Sequence, residues 1–157
     1  MKKIFLIVNL FIIIFVPSIS FGNVIDKLNE TGKFTKFNET LTKSGLNEDL
    51  KGNGPFTVFA PLDDAFAAIS AKTYYGLLNE ANKEKLIKIL GRHVFSKKIT
   101  SSEINGEINL KAINGEEIKI KKVNGIVYIN EAEVVTADIE VSNGVIHFIN
   151  RVLQPLN

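Results

Sequence analysis

Hydrophobic and polar positions along this chain follow three different rhythms. From Val24 to Ser44 the apolar residues recur at helical spacing: Val24, Ile25 and Leu28 form one stripe, and beyond Gly32 the residues Phe34, Phe37 and Leu41 form a second, which predicts two short helices. Ser44-Gly45 closes the second, and Leu46 to Leu50 predicts another turn before the break at Gly52-Asn53-Gly54-Pro55. Phe56 to Ala60, rich in aromatic and β-branched residues, predicts a buried strand that stops at Pro61. Asp63 is placed to cap a following helix that has Asp64 in its first turn and carries Ala65, Phe66 and Ile69. A further helix is predicted over Lys83 to His93. Leu86, Ile89, Leu90 and His93 lie on one stripe, with Lys83, Glu84, Lys85 and Lys88 left for the wet side.

After Val94 the period becomes two. Ile108/Leu110/Ala112, Ile118/Ile120, Ile126/Tyr128 and Val134/Thr136 alternate with polar or smaller residues, and Asn114-Gly115 and Asn124-Gly125 sit between the runs. Asn-Gly between alternating runs is a hairpin signal, since both residues tolerate the positive φ of a tight turn. An antiparallel meander is expected, followed after Ser142-Asn143-Gly144 by a last strand from Val145 to Leu153 that ends at Pro155. Helices first and strands later, without βαβ alternation, predict an α+β domain. No linker divides it, and no repeat organises it.

The third rhythm is the continuous one. Met1-Lys2-Lys3 is followed by Ile4 to Val16, an apolar run broken only by Asn9 and ended by Pro17. The run is short for a spanning helix, which needs about 20 residues, and it fits the core of a secretory signal peptide. Small residues in Ser18-Ile19-Ser20-Phe21-Gly22 predict cleavage after Gly22 or Ser20, so residues 1–22 are expected to be a signal and residues 23–157 one domain. An uncleaved N-terminal anchor is the rival, and a bacterial lipid anchor would need a cysteine at the cleavage site. The expected location is therefore periplasmic, extracellular or at the cell surface.

Charge changes once that segment is set aside. Of 19 basic residues two are Lys2 and Lys3, which leaves 17 against 17 acidic ones, and a neutral domain offers no electrostatic reason to expect nucleic acid. The chain has no cysteine, which excludes thiolate metal sites, thiol nucleophiles and redox pairs. The short signal, the absence of cysteine and the Lys-, Ile- and Asn-rich composition point to a bacterium with an AT-rich genome as the expected source.

Little catalytic chemistry is visible. His93 and His147 lack the local spacing that would make them metal ligands, and imidazoles on an apolar stripe and in an apolar strand are expected to be hydrogen-bonded fixtures of the core. Asp63 and Asp64 invite an acid–base reading, but adjacent carboxylates at a helix start serve capping first. No serine sits in a nucleophile elbow and no glycine-rich phosphate loop occurs. Lys97, Lys98, Lys119, Lys121 and Lys122 could form a basic strip for polysaccharide or acidic lipid, or be the solvated face of a hairpin. Asn29-Glu30-Thr31 and Asn38-Glu39-Thr40 match the glycosylation sequon, and read here as cap and turn residues. No metal and no cofactor is expected, and the chain does not read as an enzyme.

Two separated segments carry a family resemblance. Gly54-Pro55-Phe56-Thr57-Val58-Phe59-Ala60-Pro61-Leu62-Asp63-Asp64-Ala65-Phe66 and Asp138-Ile139-Glu140-Val141-Ser142-Asn143-Gly144-Val145-Ile146-His147-Phe148-Ile149-Asn150-Arg151-Val152-Leu153-Gln154-Pro155 resemble the paired signatures of the fasciclin (FAS1) domain. Between them, Leu86 to Val94 resembles the family's central Leu-rich helix ending in His-Val, and the likeness runs over residues 23–157. It implies a wedge of antiparallel or mixed strands packed with several short helices. It also implies a non-catalytic adhesion module with a protein, surface or matrix partner. The matched signature residues are Phe56, Thr57, Phe59, Pro61, Asp63, Phe66, His93, Asp138, Ile139, Asn143, Gly144, His147 and Pro155. Phe56/Val58 and Val145/Ile149 are expected as the inward faces of central strands, with Asp63 and His147 as buried polar anchors.

The chain departs from the family in two places. Leu62 stands where the family usually has Thr or Ser, and Arg92 where it often has Tyr. Animal members link that Tyr-His pair and an Asp-Ile dipeptide to integrin binding. Asp138-Ile139 is present here and the Tyr is not, so integrin binding is not carried over. The alternative function is a soluble carrier for an apolar ligand such as a lipid or carotenoid, which some members are reported to bind.

Overall fold

The computed structural model describes residues 21–154. The expected signal segment through Ser20, and Pro155, lie outside the described residues.

Helix α1 (Val24–Thr31) starts at a reciprocal cap. Asn23 accepts a hydrogen bond from the Asp26 N–H, and the Asp26 carboxylate accepts one from the Asn23 N–H, both at 3.0 Å. Two further helices follow, α2 (Thr35–Ser44) and the single turn α3 (Leu46–Asp49). Strand β1 (Phe56–Pro61) leads into a 3-10 turn, Asp63–Ala68, where an α-helix is predicted. Helix α4 (Ala71–Leu77) has no counterpart in the sequence reading. It buries only Tyr74, so it shows no apolar stripe, and its start is marked by Ser70, which accepts from the Thr73 N–H at 3.1 Å. Helix α5 (Lys83–Gly91) stops two residues short of the predicted end.

The strands are β2 (Val94–Phe95), β3 (Glu107–Lys111), β4 (Glu117–Val123), β5 (Ile126–Ile129), β6 (Ala132–Val141) and β7 (Gly144–Ile149). They form one seven-stranded sheet in the order β2-β1-β7-β6-β5-β4-β3. β3 to β7 pair antiparallel in succession, the predicted meander, while β1 joins it by pairing parallel with β7.

The sequence reading assigned Phe56/Val58 and Val145/Ile149 to the inward faces of central strands, and the structure gives these strands two buried faces. Val58, Ala60, Ile146 and Phe148 pack against the helices with Phe34, Phe37, Leu41 and Leu90. Phe59 and Ile149 point the other way, into the curl of the sheet, with Phe95, Ile104, Ile120 and Ile129. β1 and β7 are thus buried on both faces, the property of parallel-paired strands with layers on either side.

Two alternations are also corrected. In β5 it is Val127 and Ile129 that are buried, while Ile126 is 40% exposed. The tight turn at Asn124-Gly125, both with positive φ, pairs Val123 with Ile126 and so sets the register. Thr136 is exposed because β6 slips register between Val134 and Thr136 and again before Ile139. The last strand ends at Ile149, four residues before the predicted Leu153.

Candidate functional site

The two signature segments are neighbouring strands. Six consecutive residues pair from Phe56 with Gly144 to Pro61 with Ile149. Phe59 lies beside His147, their rings stacked at 4.9 Å with 28° between planes. Thr57, fully buried, donates its hydroxyl hydrogen to the Lys97 carbonyl and accepts from the Ile99 N–H at 2.8 Å. It thereby pins the segment between β2 and β3 onto β1.

The same segment is held by His147. Nε2–H donates to the Ile99 carbonyl at 2.7 Å and Nδ1 accepts from the Asp138 N–H at 3.2 Å, which fixes the ring as the neutral Nε2–H tautomer. Burial pushes the imidazole below its ordinary pKa against the opposing pull of the Ile99 carbonyl and Asp138. Asp138 has φ +59°, the left-handed region, at the bulge of β6. Its carboxylate accepts from the Ser101 hydroxyl and from the Ser101 N–H at 2.7 Å. Partial burial works to raise its pKa, but the two Ser101 bonds, with His147 and Lys122, outweigh it and hold the group low. Ile139 pairs with Ile146 and packs on the helix-side core.

Ser101 was not recognised in the sequence, although Thr100-Ser101-Ser102-Glu103 has the capping-box pattern. The Glu103 carboxylate indeed accepts from the Thr100 N–H at 2.7 Å. Ser101, Asp138 and His147 are the types of a hydrolytic triad in a different arrangement. The serine hydroxyl is bonded to the carboxylate rather than to the imidazole, and both imidazole nitrogens are engaged by backbone groups. In this arrangement the three side chains tie β6 and β7 to the segment between β2 and β3.

His93 is the mirror case. Its Nδ1–H donates to the Ile89 carbonyl and its Nε2 accepts from the Leu153 N–H, each at 3.0 Å. It is fully buried, and burial lowers its pKa to about 4. Among the described residues no cluster of three His, Cys, Asp or Glu side chains could hold a metal ion. Arg92 turns its guanidinium to Glu116 at 2.6 Å.

Asn143 is saturated. Its Oδ1 accepts from the Val24 N–H at 3.0 Å, and its amide donates to the Leu50 and Gly52 carbonyls at 2.8 Å each. Gly144 meets β1 so closely that a Cβ there would lie 1.9 Å from the Phe56 carbonyl oxygen. Asp63 does not cap the turn that follows it. Its carboxylate accepts from the Thr35 and Lys36 N–H groups at 3.2 and 2.8 Å, capping α2, whose own N-cap Phe34 offers no acceptor. Pro61 ends β1 buried, and Phe66 packs edge-on against Tyr74 at 5.8 Å.

The lysine strip is largely spent. Lys98 pairs with Glu140 at 2.7 Å and Lys119 with Glu107 at 2.9 Å. Lys122 donates to the Ser101 carbonyl, and Lys121 lies over the Tyr128 ring. In the two sequons, the Asn38 amide donates to Asn29 Oδ1 at 3.0 Å. An apolar pocket of about 180 Å³ lies between α2, α4, α5 and the 3-10 turn, walled by Phe37, Phe66, Tyr74, Leu77, Leu86 and Ile89. A wider, more open space of about 610 Å³ lies between the 3-10 turn and residues 130–132 and 150–154, lined among others by Asp64, Asn130, Glu131, Asn150 and Arg151. Among the described residues no helix is long and apolar enough to cross a membrane.

Comparison with known proteins extends this geometry. Residues 32–155 match the sequence profile of the fasciclin domain. Protein sll1483 of Synechocystis sp. is 44% identical over 128 residues, covering 81% of this chain and 69% of its own. The transforming growth factor-beta-induced protein ig-h3 of Sus scrofa is 35% identical over 134 residues, 85% of this chain but 19% of that much longer one. Among solved structures, a FAS1 domain pair of the insect cell adhesion molecule fasciclin I superposes with a TM-score of 0.75 at 21% identity. That match covers 87% of this chain and 52% of the other.

Proposed function

The chain belongs to the fasciclin domain family, and from that premise we propose that it is a non-catalytic module of cell adhesion, exported and working through contact with a protein, surface or matrix component. The observation that carries this reading is the complete use of the signature's polar groups by the fold. Thr57, Asp63, His93, Asp138, Asn143 and His147 each bond to backbone of another segment. The signature is thus a framework that presents an outer surface, as a contact module requires. The insect relative in which the fold recurs is a cell adhesion molecule, which agrees with that use. In the same reading residues 1–22 direct export and residues 23–157 are the delivered domain.

The alternative, a carrier for a lipid or carotenoid, is narrowed by size and by lining. The apolar pocket of about 180 Å³ is below the roughly 300–1,000 Å³ of a site that surrounds a drug-sized ligand. The open space of about 610 Å³, which reaches that range, carries Asp64, Asn130, Glu131, Asn150 and Arg151 on its walls where an apolar ligand needs hydrocarbon. Adhesion is tested by deleting the coding sequence in the producing cells and by coating beads with residues 23–157. Loss of surface attachment and bead binding to producing cells are expected. Unchanged attachment together with inert beads would overturn the reading.

A further inference from the structure

We propose that the pocket between α2, α4 and α5 is a binding site for a small monocarboxylate whose tail is a single ring or a short alkyl chain. Its polar wall atoms are already committed. The Tyr74 hydroxyl donates to Glu39 at 2.6 Å, the Thr40 hydroxyl to the Phe37 carbonyl at 2.7 Å, and both His93 nitrogens are engaged. What the interior offers a guest is therefore hydrocarbon and aromatic surface from Phe37, Phe66, Leu77, Leu86 and Ile89. Such a space rejects water and accepts an apolar body. An apolar cavity of about 150 Å³ is enough for a benzene-sized molecule, so the size here selects one ring or a short chain rather than a membrane lipid.

The rim supplies the second half of the recognition. Lys85 is exposed on α5, is the one lining residue with a formal charge, and makes no ion pair among the described residues. Lys83, on the same helix, is by contrast paired with Glu80. No carboxylate lines the pocket. His93 is held neutral, and beside Lys85 the exposed rim residues are Thr73 and Gln154, both uncharged. An apolar cavity whose one charged lining residue is a lysine, with the Lys36 ammonium over the ring of its lining Tyr74, is complementary to an apolar tail with a single anionic head.

This inference is independent of the adhesion reading, and its test leaves that reading untouched. Calorimetry and amide NMR shifts on residues 23–157 would compare 3-phenylpropionate with the neutral 3-phenylpropan-1-ol. The acid is expected to bind with a Kd at or below about 1 mM and to perturb amides of α4 and α5. The alcohol should bind about tenfold more weakly. Lys85→Met should bring the acid down to the alcohol's affinity and leave the alcohol unchanged, which a general loss of packing would not do. Ile69→Trp, reaching into the pocket from its partly buried wall, should abolish both. No binding of the acid, equal affinities for acid and alcohol, or acid binding indifferent to Lys85→Met would each overturn the proposal.

Discussion

Phe59 and His147 stack at 4.9 Å across the parallel pairing of β1 and β7, with 28° between their rings. The two strands come from opposite ends of the domain, and this contact lies where their pairing, the inner core and the 96–103 segment converge. The imidazole adds hydrogen bonds to Ile99 and Asp138 from the same position, so one side chain fixes three segments.

Replacing His147 should therefore cost more than its volume. His147→Leu fills the space but leaves the Ile99 carbonyl and the Asp138 N–H unpaired, and an unsatisfied buried group costs about 1–3 kcal/mol. A loss of roughly 2–5 kcal/mol is expected in urea unfolding, with Phe59→Leu milder at about 1–2 kcal/mol. Equal stability of His147→Leu and the parent would contradict the anchoring role.

Acid should destabilise the domain before its carboxylates titrate fully. His93 has a folded-state pKa near 4 against about 6.5 when exposed, so between these values the unfolded chain binds the extra proton. Stability is then complete above pH 6.5 and falls as pH drops toward 4, by about 3 kcal/mol if the full shift is realised. His147, also lowered, acts in the same direction. Urea midpoints taken between pH 7.5 and 4.5 measure the slope. His93→Gln should be less stable at pH 7.5 and should flatten it.

What the sequence made legible follows from how local each signal is. Helices α1 and α2 show their apolar stripes and glycine stops within ten residues, and the Asn124-Gly125 turn announces itself in two. The face of β5 did not follow, because a four-residue strand carries apolar residues at every position and only the turn's geometry selects Val127 and Ile129. Helix α4 was hidden by its single buried side chain. For the candidate site, the residue types of the signatures were visible but their partners were not. Asp63 is 27 residues from the N–H it caps best, and His147 is 48 from Ile99. Nothing in a linear pattern distinguishes a carboxylate that caps its own turn from one that caps another helix.

That difference can be measured at Asp63. Asp63→Ala removes the carboxylate that accepts from the Thr35 and Lys36 N–H groups at the start of α2 and should cost about 1–2 kcal/mol. Asp63→Asn keeps an acceptor while losing the charge that favours a helix N-terminus, and should cost about 0.3–1 kcal/mol. Amide exchange locates the effect: faster exchange at Thr35 and Lys36 is expected. Faster exchange confined to residues 64–68 would instead mean that Asp63 caps its own turn.

Two glycines give opposite expectations for the same substitution. At Gly144 the strands approach so closely that a Cβ would sit 1.9 Å from the Phe56 carbonyl oxygen and 2.7 Å from its carbon. These are backbone atoms of the paired strand, which cannot move without breaking the parallel ladder. Gly144→Ala is expected to lose more than about 4 kcal/mol, the range reserved for outright disruption, and to yield insoluble protein. Gly76 lies inside α4 with nothing within 4 Å of an added Cβ. There alanine removes only conformational freedom of the unfolded chain and raises helix propensity, so Gly76→Ala should gain up to about 1 kcal/mol. Thermal unfolding of the two variants beside the parent separates the cases. A well-folded Gly144→Ala would mean that β1 and β7 are not in the contact the structure gives them.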